Sequence, residues 1–495
     1  MAERLIISEP YYFTDSTAHC GYCKGQKLDK NDNFAVKSWY DKHAEAHDGL
    51  GVQNCTLGVQ LELVSVEMYD KLCNMGFRRS GKFLYKPDLL RNCCRMYTIR
   101  TTVDQVRVTK DMKTCVKRFK KAALPDSTQE NKKEHKGPFN FMQEIIDIEN
   151  NSNNFYTKFE PAVYSDEKYR LFAKYQESVH NDFDHNPKSF KRFLCDAPFS
   201  PEVIRGTKQE WDQLNDWKNQ QRSNFERLGP AHECYYYNGN LVAIAVVDIL
   251  PSGISSVYFI WDPAYAKLSL GKLSALRELA VSSKINRRYY YMGYYIQDCP
   301  KMNYKGKYGG ELMDLCNYKY APLARVEKDI DHSKFFILSD DPNLANEPHL
   351  NERFCGTASL WQTSGELYNV VENVYGVNGG AFKAADDAAE QLSRRKIPYN
   401  RELSHDICSD GNGKNDIYRI PNVVPGLLPL GEILQLVLQK KINSVNNKMV
   451  LFDTSVGHIR LVVDFDCEPP QIKKVICDLV RLFGLQNTMD SLVIV

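Results

Sequence analysis

Residues 232–262 read HECYYYNGNLVAIAVVDILPSGISSVYFIWD. Asn238-Gly239 stands between two strand-like runs and supplies the positive φ angles of a two-residue hairpin turn. The run 241–250 is apolar but for Asp248, and at ten residues it falls well short of the ~20 needed to cross a bilayer, so it reads as a buried strand. PSGIS turns the chain into a third strand, SSVYFIWD. LGKLSALRELA follows, with Leu270, Leu273, Leu276 and Leu279 at helical spacing. A β-rich run, YYYMGYYI at 289–296, comes directly after it. The order is antiparallel hairpin, strand, helix, strand. It predicts an α+β unit, a mixed sheet flanked by helices, over 151–326.

On either side the composition changes. Residues 1–106 are rich in cysteine and aromatics and form a predicted N-terminal domain. From Arg107 to Lys136, ten Lys or Arg stand against four Asp or Glu. This is read as a basic helix followed by a mobile linker, occupying 107–150. Residues 327–420 are polar and loop-rich and read as a variable insertion. Residues 421–495 give helices and strands expected to pack on the 151–326 unit.

The chain has 495 residues, enough for two to four packed units. Its 64 Lys and Arg nearly balance 62 Asp and Glu, so any polyanion-binding surface must be local. Most of the 15 cysteines are scattered singly, the pattern of a reducing compartment. The start MAERLIISEPYYF lacks the layout of a secretory signal. A soluble, cytoplasmic protein is expected, with access to the nucleus left open. No membrane contact or partner chain is called for, and a monomer is expected.

Two cysteine pairs stand out. Cys20 and Cys23 form a CxxC step in CGYCKGQK, and Cys93 and Cys94 are adjacent in LLRNCCRMYTIR. Four thiols match the ligand count of a tetrahedral zinc ion or of an iron–sulfur cluster. A metal or cluster is the reading taken over the blander one of reduced, buried thiols, and the spacing does not say which metal or cluster. Beside the second pair, GFRRSGKFLYK packs Arg78, Arg79, Lys82 and Lys86 into nine residues, a pattern suited to carboxylate or phosphate. The loop QDCPKMNYKGKYGG holds Asp298, Lys301, Tyr304 and Lys305 just beyond a strand, where function concentrates. Lys113, Lys117, Arg118, Lys120 and Lys121 on the basic helix, with Lys188, Lys191 and Arg192, could track a nucleic-acid backbone.

These blocks, with FYTKFEPAVYS and PNVVPGLLPL, resemble the eukaryotic arginyl-tRNA–protein transferase family in its fungal form. The resemblance runs from CGYCKG to about residue 322. It implies transfer of arginine from arginyl-tRNA to the α-amine of proteins beginning with Asp, Glu or oxidised Cys. The product would be an N-degron read by the ubiquitin conjugation pathway. It also implies an iron–sulfur cluster or zinc held by Cys20, Cys23, Cys93 and Cys94, and a catalytic half of the GNAT acyltransferase fold. The phosphate loop of ordinary GNAT enzymes is reduced here to KLSLGK, with one glycine, so coenzyme A would lose most of its amide cradle and is not expected.

Within that framework His232, Tyr258, Tyr294 and Tyr295 are candidates for proton handling or oxyanion contact. An acceptor carboxylate calls for a cation, with Arg78, Arg79, Lys82, Lys301 and Lys305 as candidates and Tyr304 beside them. The arginyl side chain of the donor calls for a carboxylate: Asp298, Asp262, Asp248 or Glu233. Rival readings are leucyl transfer to acidic N-termini, an acetyl-CoA N-acetyltransferase, and a non-catalytic, metal-containing tRNA-binding adaptor.

Overall fold

The computed structural model describes residues 4–15, 20–24, 34–43, 54–125, 138–219, 225–339, 359–360, 368–402 and 418–495. The expected mobile linker falls in 126–137, outside the described residues.

Strands β1 (Ile6–Ser8), β2 (Tyr11–Asp15), β3 (Asn54–Leu63), β4 (Arg78–Ser80), β5 (Phe83–Pro87) and β6 (Tyr97–Thr101) precede the decisive hairpin. After them come β7 (Phe155–Glu160), β8 (Gly229–Tyr237), β9 (Asn240–Ile249), β10 (Gly253–Trp261), β11 (Tyr289–Tyr295), β12 (Glu311–Asp314) and β13 (Lys319–Pro322). A nine-stranded sheet runs Ser359–Leu360, β13, β12, β6, β11, β10, β9, β8, β7. Asn238 and Gly239 adopt φ of 49° and 76°, and Tyr237 pairs with Asn240 across the turn, as the hairpin reading requires. β9 is buried from Leu241 to Ile249 because helices cover both faces of the sheet there. Asp166–Tyr175 packs on one face, and Leu270–Lys284 on the other.

β10 and β11 are parallel, so the chain must cross over between them, and Leu270–Lys284 is that crossover. The two strands pair only at Gly253–Tyr289, Ile254–Tyr290 and Ser255–Tyr291. A side chain at 253 would drive its Cβ to 2.2 Å from the Tyr289 carbonyl oxygen, so the close start of this pairing requires glycine. Past Ser255 the strands part. β10 continues against β9 as far as Trp261, while β11 bulges around Gly293 (φ 73°) and stays with β6.

A second, eight-stranded sheet runs His458–Leu461, Val450–Asp453, Leu492–Ile494, β1, β3, β5, β4, with β2 also on β3. The C-terminal strands thus extend the N-terminal sheet. Helices Leu430–Leu438 and Pro470–Phe483 bury Ile433, Ile476 and Phe483 against Val59, Leu61, Phe77 and Leu84 of that half. This differs from the expected packing of 421–495 on the catalytic domain. The division at 106 also shifts, since β6 belongs to the nine-stranded sheet. Nor is 327–420 a mere appendage where described: Phe335–Leu338 and Val370–Tyr375 lie in the core around Tyr97 and Ile99.

Candidate active site and thiol centre

The parting of β10 from β11 opens a cleft in mid-sheet. Residues 256–259 of β10 are all partly exposed, although the strand is interior to the sheet. Tyr258 stands in this cleft, its hydroxyl 3.5 Å from His180 Nε2. His180 ends a π-helical turn (Gln176–His180), and burial and then the charge of Lys301 lower its pKa. The neutral imidazole beside Tyr258 is therefore available to accept a proton. Phe193 packs edge-on to Tyr258 with ring centroids 4.9 Å apart. It also lines a cavity of about 600 Å³ that reaches Ser80, Lys82 and Phe83 of the eight-stranded sheet. Lys301 and Tyr304, in the loop after β11, are exposed.

The other predicted catalytic residues lie elsewhere. His232 is fully buried. Its Nε2 donates to the Leu194 carbonyl at 2.8 Å, and its Nδ1 accepts from Lys168 Nζ at 3.0 Å. Burial, then Lys168, pulls its pKa down to about 3, which makes it a neutral structural histidine. Tyr294 is buried and donates to the Gly76 carbonyl oxygen at 3.1 Å. Tyr295 projects to the other face of β11 and donates to Gln297. Both hydroxyls hold backbone or loop in place.

The substrate-binding candidates divide as sharply. Arg79 makes a two-pronged, buried ion pair with Asp248, at 2.7 and 2.6 Å. Glu233 is buried against Arg277. Lys82 pairs with Glu62 at 2.7 Å, and Asp262 pairs with Lys174 and caps the turn that follows it. Asp298 is exposed. Arg78 differs from its neighbour. It is 4 % exposed, its Nη1 donates to the Cys73 and Phe77 carbonyls, and its Nε and Nη2 have no partner among the described residues. Its guanidinium lies 5.6 and 5.8 Å from the ring centres of Tyr291 and Tyr294. Lys305 Nζ donates to the Tyr294 carbonyl at 2.6 Å. Burial, then the charge of Arg78, lowers it to about 7. Arg78 and Lys305 thus feel one another's charge, and no carboxylate among the described residues pairs with either. A buried and a half-buried cation with no carboxylate paired to them make a candidate site for an anion.

The thiols converge as their number implied. The Sγ atoms of Cys20, Cys23, Cys93 and Cys94 all lie within 4.8 Å of one another, and Cys23 and Cys93 are 3.6 Å apart. The turn at 21–24 and the bend after β5 let the two pairs face each other. Hydrogen bonds from Cys93 and Cys94 hold the Cys20 thiol well below its ordinary pKa, favouring the thiolate that a metal requires. The centre shares a cluster with Tyr294, Ile296, Cys299 and Met302, so it braces the strand end and loop that carry Lys305.

Lys113, Lys117 and Lys121 are exposed at successive i, i+4 positions of helix Lys110–Ala123, which buries Met112, Cys115, Val116 and Phe119. Arg118 donates to the Lys267 carbonyl at 3.0 Å, which ties the helix to the start of Leu270–Lys284. Lys120 instead pairs with Glu144. Lys188, Lys191 and Arg192 are exposed on a separate helix–turn.

Comparison with known proteins matches these features. Residues 18–114 match the family described as arginine-tRNA-protein transferase, N terminus, and residues 167–314 the corresponding C terminus. An arginyl-tRNA–protein transferase of Saccharomyces cerevisiae is 46 % identical over 504 residues, covering 100 % of this chain and 99 % of its own length. The chain belongs to the arginyl-tRNA–protein transferase family. One from Drosophila melanogaster is 36 % identical over 195 residues, covering 36 % of this chain and 37 % of its own. An aspartate/glutamate leucyltransferase of Stutzerimonas stutzeri is 30 % identical over 249 residues, half of this chain and 79 % of its own. The enzyme class is therefore aminoacyltransferase. For this transferase, Glu278 and His180 are the cleft residues that motif reading passed over. Glu278 sits inside a leucine-spaced helix, where only the polar set Ser274, Arg277 and Glu278 on a helix about to be buried all round could have marked it.

Proposed function

We propose that the protein transfers arginine from arginyl-tRNA to the α-amine of proteins beginning with Asp, Glu or oxidised Cys, creating an N-degron for ubiquitin-dependent degradation. The observation that carries the acceptor class is the uncompensated pair Arg78 and Lys305, which an acidic side chain would neutralise. The structure of the cleft supports a GNAT-like arrangement. Past Ser255, the edge of β10 facing β11 has no strand partner among the described residues, so amides on that edge are suited to a developing oxyanion.

The amine nitrogen attacks the ester carbonyl, a C–N bond forms, the C–O bond to ribose breaks, and the ribose oxygen takes a proton. With an α-amine pKa of ~7.7–8.0, a useful fraction of acceptor is already neutral. His180, through or beside Tyr258, is placed to take the remaining proton, a contribution of roughly 10²–10⁴-fold. The exposed stripe Lys113, Lys117 and Lys121, with Arg118, is assigned to the tRNA backbone, and Lys188, Lys191 and Arg192 to an outer contact. Lys301 and Tyr304 border the cleft mouth.

The thiol spacing favours a single ion. A tetrahedral zinc with Zn–S of ≈ 2.3 Å separates its sulfurs by about 3.8 Å, close to what these thiols show. A cubane cluster would hold them farther apart. Zinc bound by Cys20, Cys23, Cys93 and Cys94 would fix the Tyr294–Lys305 segment. The cysteines of the described residues form no disulfide, which suits the cytoplasm.

The test supplies arginyl-tRNA carrying labelled arginine to peptides that differ only in an N-terminal Asp, Glu or Ala. Label is expected in the first two alone. No label in any peptide with metal-replete protein would overturn the reading, and label from leucyl-tRNA instead would favour the leucyl alternative.

A further inference from the structure

The cleft carries a second charge imbalance, opposite in sign to that of Arg78 and Lys305. Helix Leu270–Lys284 passes beneath the point where β10 and β11 part, and Glu278 on it is 2 % exposed. Ser274 donates to its Oε1, and the hydroxyls of Ser256 and Tyr290 stand against the carboxyl. Oε2 is buried with no hydrogen-bond partner of good geometry among the described residues. Those partners are all neutral.

The nearby cations are already engaged. Arg277, one residue before it, is shared between Glu233 and Glu149, and Lys218 stands 3.7 Å from Glu149. Among the described residues, three buried carboxylates therefore face two cations, and Glu278 is the one left over. Burial accordingly raises its pKa. An apolar residue would pack there at less cost, so a carboxylate held in this way points to a cation that arrives from outside.

Its position says which cation. Ser256 is the first residue of β10 beyond the last pair with β11, so the carboxylate lies at the apex of the opening. Tyr290 points to Glu278, whereas Tyr291 and, past the bulge, Tyr294 point to Arg78. Alternation along the strand puts Glu278 and Arg78 on opposite faces of β11. The face holding Glu278 is the one on which helix Lys110–Ala123 packs, with its exposed lysine stripe. An aminoacyl end delivered from that side would meet Glu278, and the acceptor would enter from the side of Arg78 and Lys305. The four carboxylates expected from sequence to fill this role are bound to internal cations or, for Asp298, lie at the surface.

We propose that Glu278 receives the guanidinium of the arginine on the donor tRNA and sets the amino-acid specificity of transfer. This rests on the reading of the cleft as an arginyl-transfer site. The planar, multidonor guanidinium would pair with a carboxylate whose Oε2 lacks a well-directed hydrogen bond, a match that a neutral side chain of the same length cannot make.

The test uses the full chain and one tRNA charged either with arginine or with citrulline, which replaces the guanidinium by a neutral urea of the same shape. In wild type, kcat/KM with an N-terminal Asp peptide should favour arginine. Glu278→Gln should lower kcat/KM for arginyl-tRNA by about 10- to 100-fold and bring the arginine-to-citrulline ratio towards one. Binding of uncharged tRNA and the melting temperature should stay as in wild type. Glu278→Asp, which keeps the charge, should retain discrimination at reduced kcat/KM, and serves if the glutamine variant does not fold. Retention of the full wild-type ratio in Glu278→Gln, or collapse of the ratio in a folded Glu278→Asp, overturns the assignment. Failure of wild type to transfer arginine at all would instead remove the underlying reading.

Discussion

Adjacent arginines with opposite fates give the sharpest perturbation, replacement of each by methionine. Arg79 and Asp248 have side chains only 3 % and 0 % exposed, and Arg79 also donates to the Gly81 carbonyl at 3.1 Å. Removing one partner strands a buried carboxylate, at a cost of about 3–5 kcal/mol. At ~2–4 °C per kcal/mol, that is a fall in melting temperature of roughly 6–20 °C. Arg79→Met combined with Asp248→Leu should regain most of it, because neither charge then remains.

Arg78→Met removes two hydrogen bonds to backbone carbonyls but also a buried charge with no counter-ion among the described residues, so its melting temperature should fall by less than half as much. Its effect belongs in the acceptor step. A hydrogen bond to a charged group is worth about 1.5–3 kcal/mol, which is about a 10- to 150-fold loss in kcat/KM for Asp peptides. Scanning calorimetry and single-peptide kinetics read both quantities. Wild-type kcat/KM in Arg78→Met, or wild-type melting in Arg79→Met, would refute the division of the pair into a ligand-binding and a structural member.

Lys305 yields a pH effect. Its pKa of about 7 in the free protein leaves it mostly neutral at pH 8, and a bound carboxylate would raise it again. An Asp peptide should therefore take up more protons on binding than an Ala peptide, by calorimetry in buffers of different ionisation enthalpy. Lys305→Met should erase the difference. His232 binds its proton near pH 3 folded and near ~6.5 unfolded, so the unfolded chain holds more protons in between. Its contribution is complete above pH 6.5 and drains away as pH falls, by up to ~1.4 kcal/mol per pH unit; His232→Gln should flatten the stability slope between pH 6.5 and 5 in urea titrations. Changing Lys113, Lys117 and Lys121 together to Ala should weaken tRNA binding and reduce the log–log salt slope by about 2–3, with melting unchanged. A strong chelator should lower the melting temperature, and elemental analysis of the untreated protein should find one zinc per chain.

The hairpin, third strand, crossover helix and last strand were legible because each carries a local signal: an Asn-Gly turn, a period, a breaker. The thiol centre was legible from count and spacing alone. What escaped depends on contacts between segments far apart in the chain. Nothing local to Arg78-Arg79 tells which arginine meets Asp248, 169 residues from Arg79. His232 looked chemical because histidine is rare in its block, and its neutrality is set by Lys168 and Leu194, brought from another layer. Glu278 hid in a leucine pattern that marks an amphipathic helix, whereas tertiary packing buries this helix from Leu270 through Ser282 except at Gly271 and Lys272.

Strand Leu492–Ile494 fills the gap between β1 and Val450–Asp453, pairing in parallel with both. During translation the eight-stranded sheet therefore cannot close until residues 492–494 have left the ribosome. Meanwhile β3, β4 and β5 wait with Ile433, Ile476 and Phe483 still missing from the core they cover. Cys20 to Cys94 are made early, on the scaffold that is completed last. A nascent chain stalled short of residue 492 would carry the four thiols on a sheet whose β1 edge is open, so any metal loading would be coupled in time to synthesis of that strand, and a fusion that pins the last strand would be felt at the thiols.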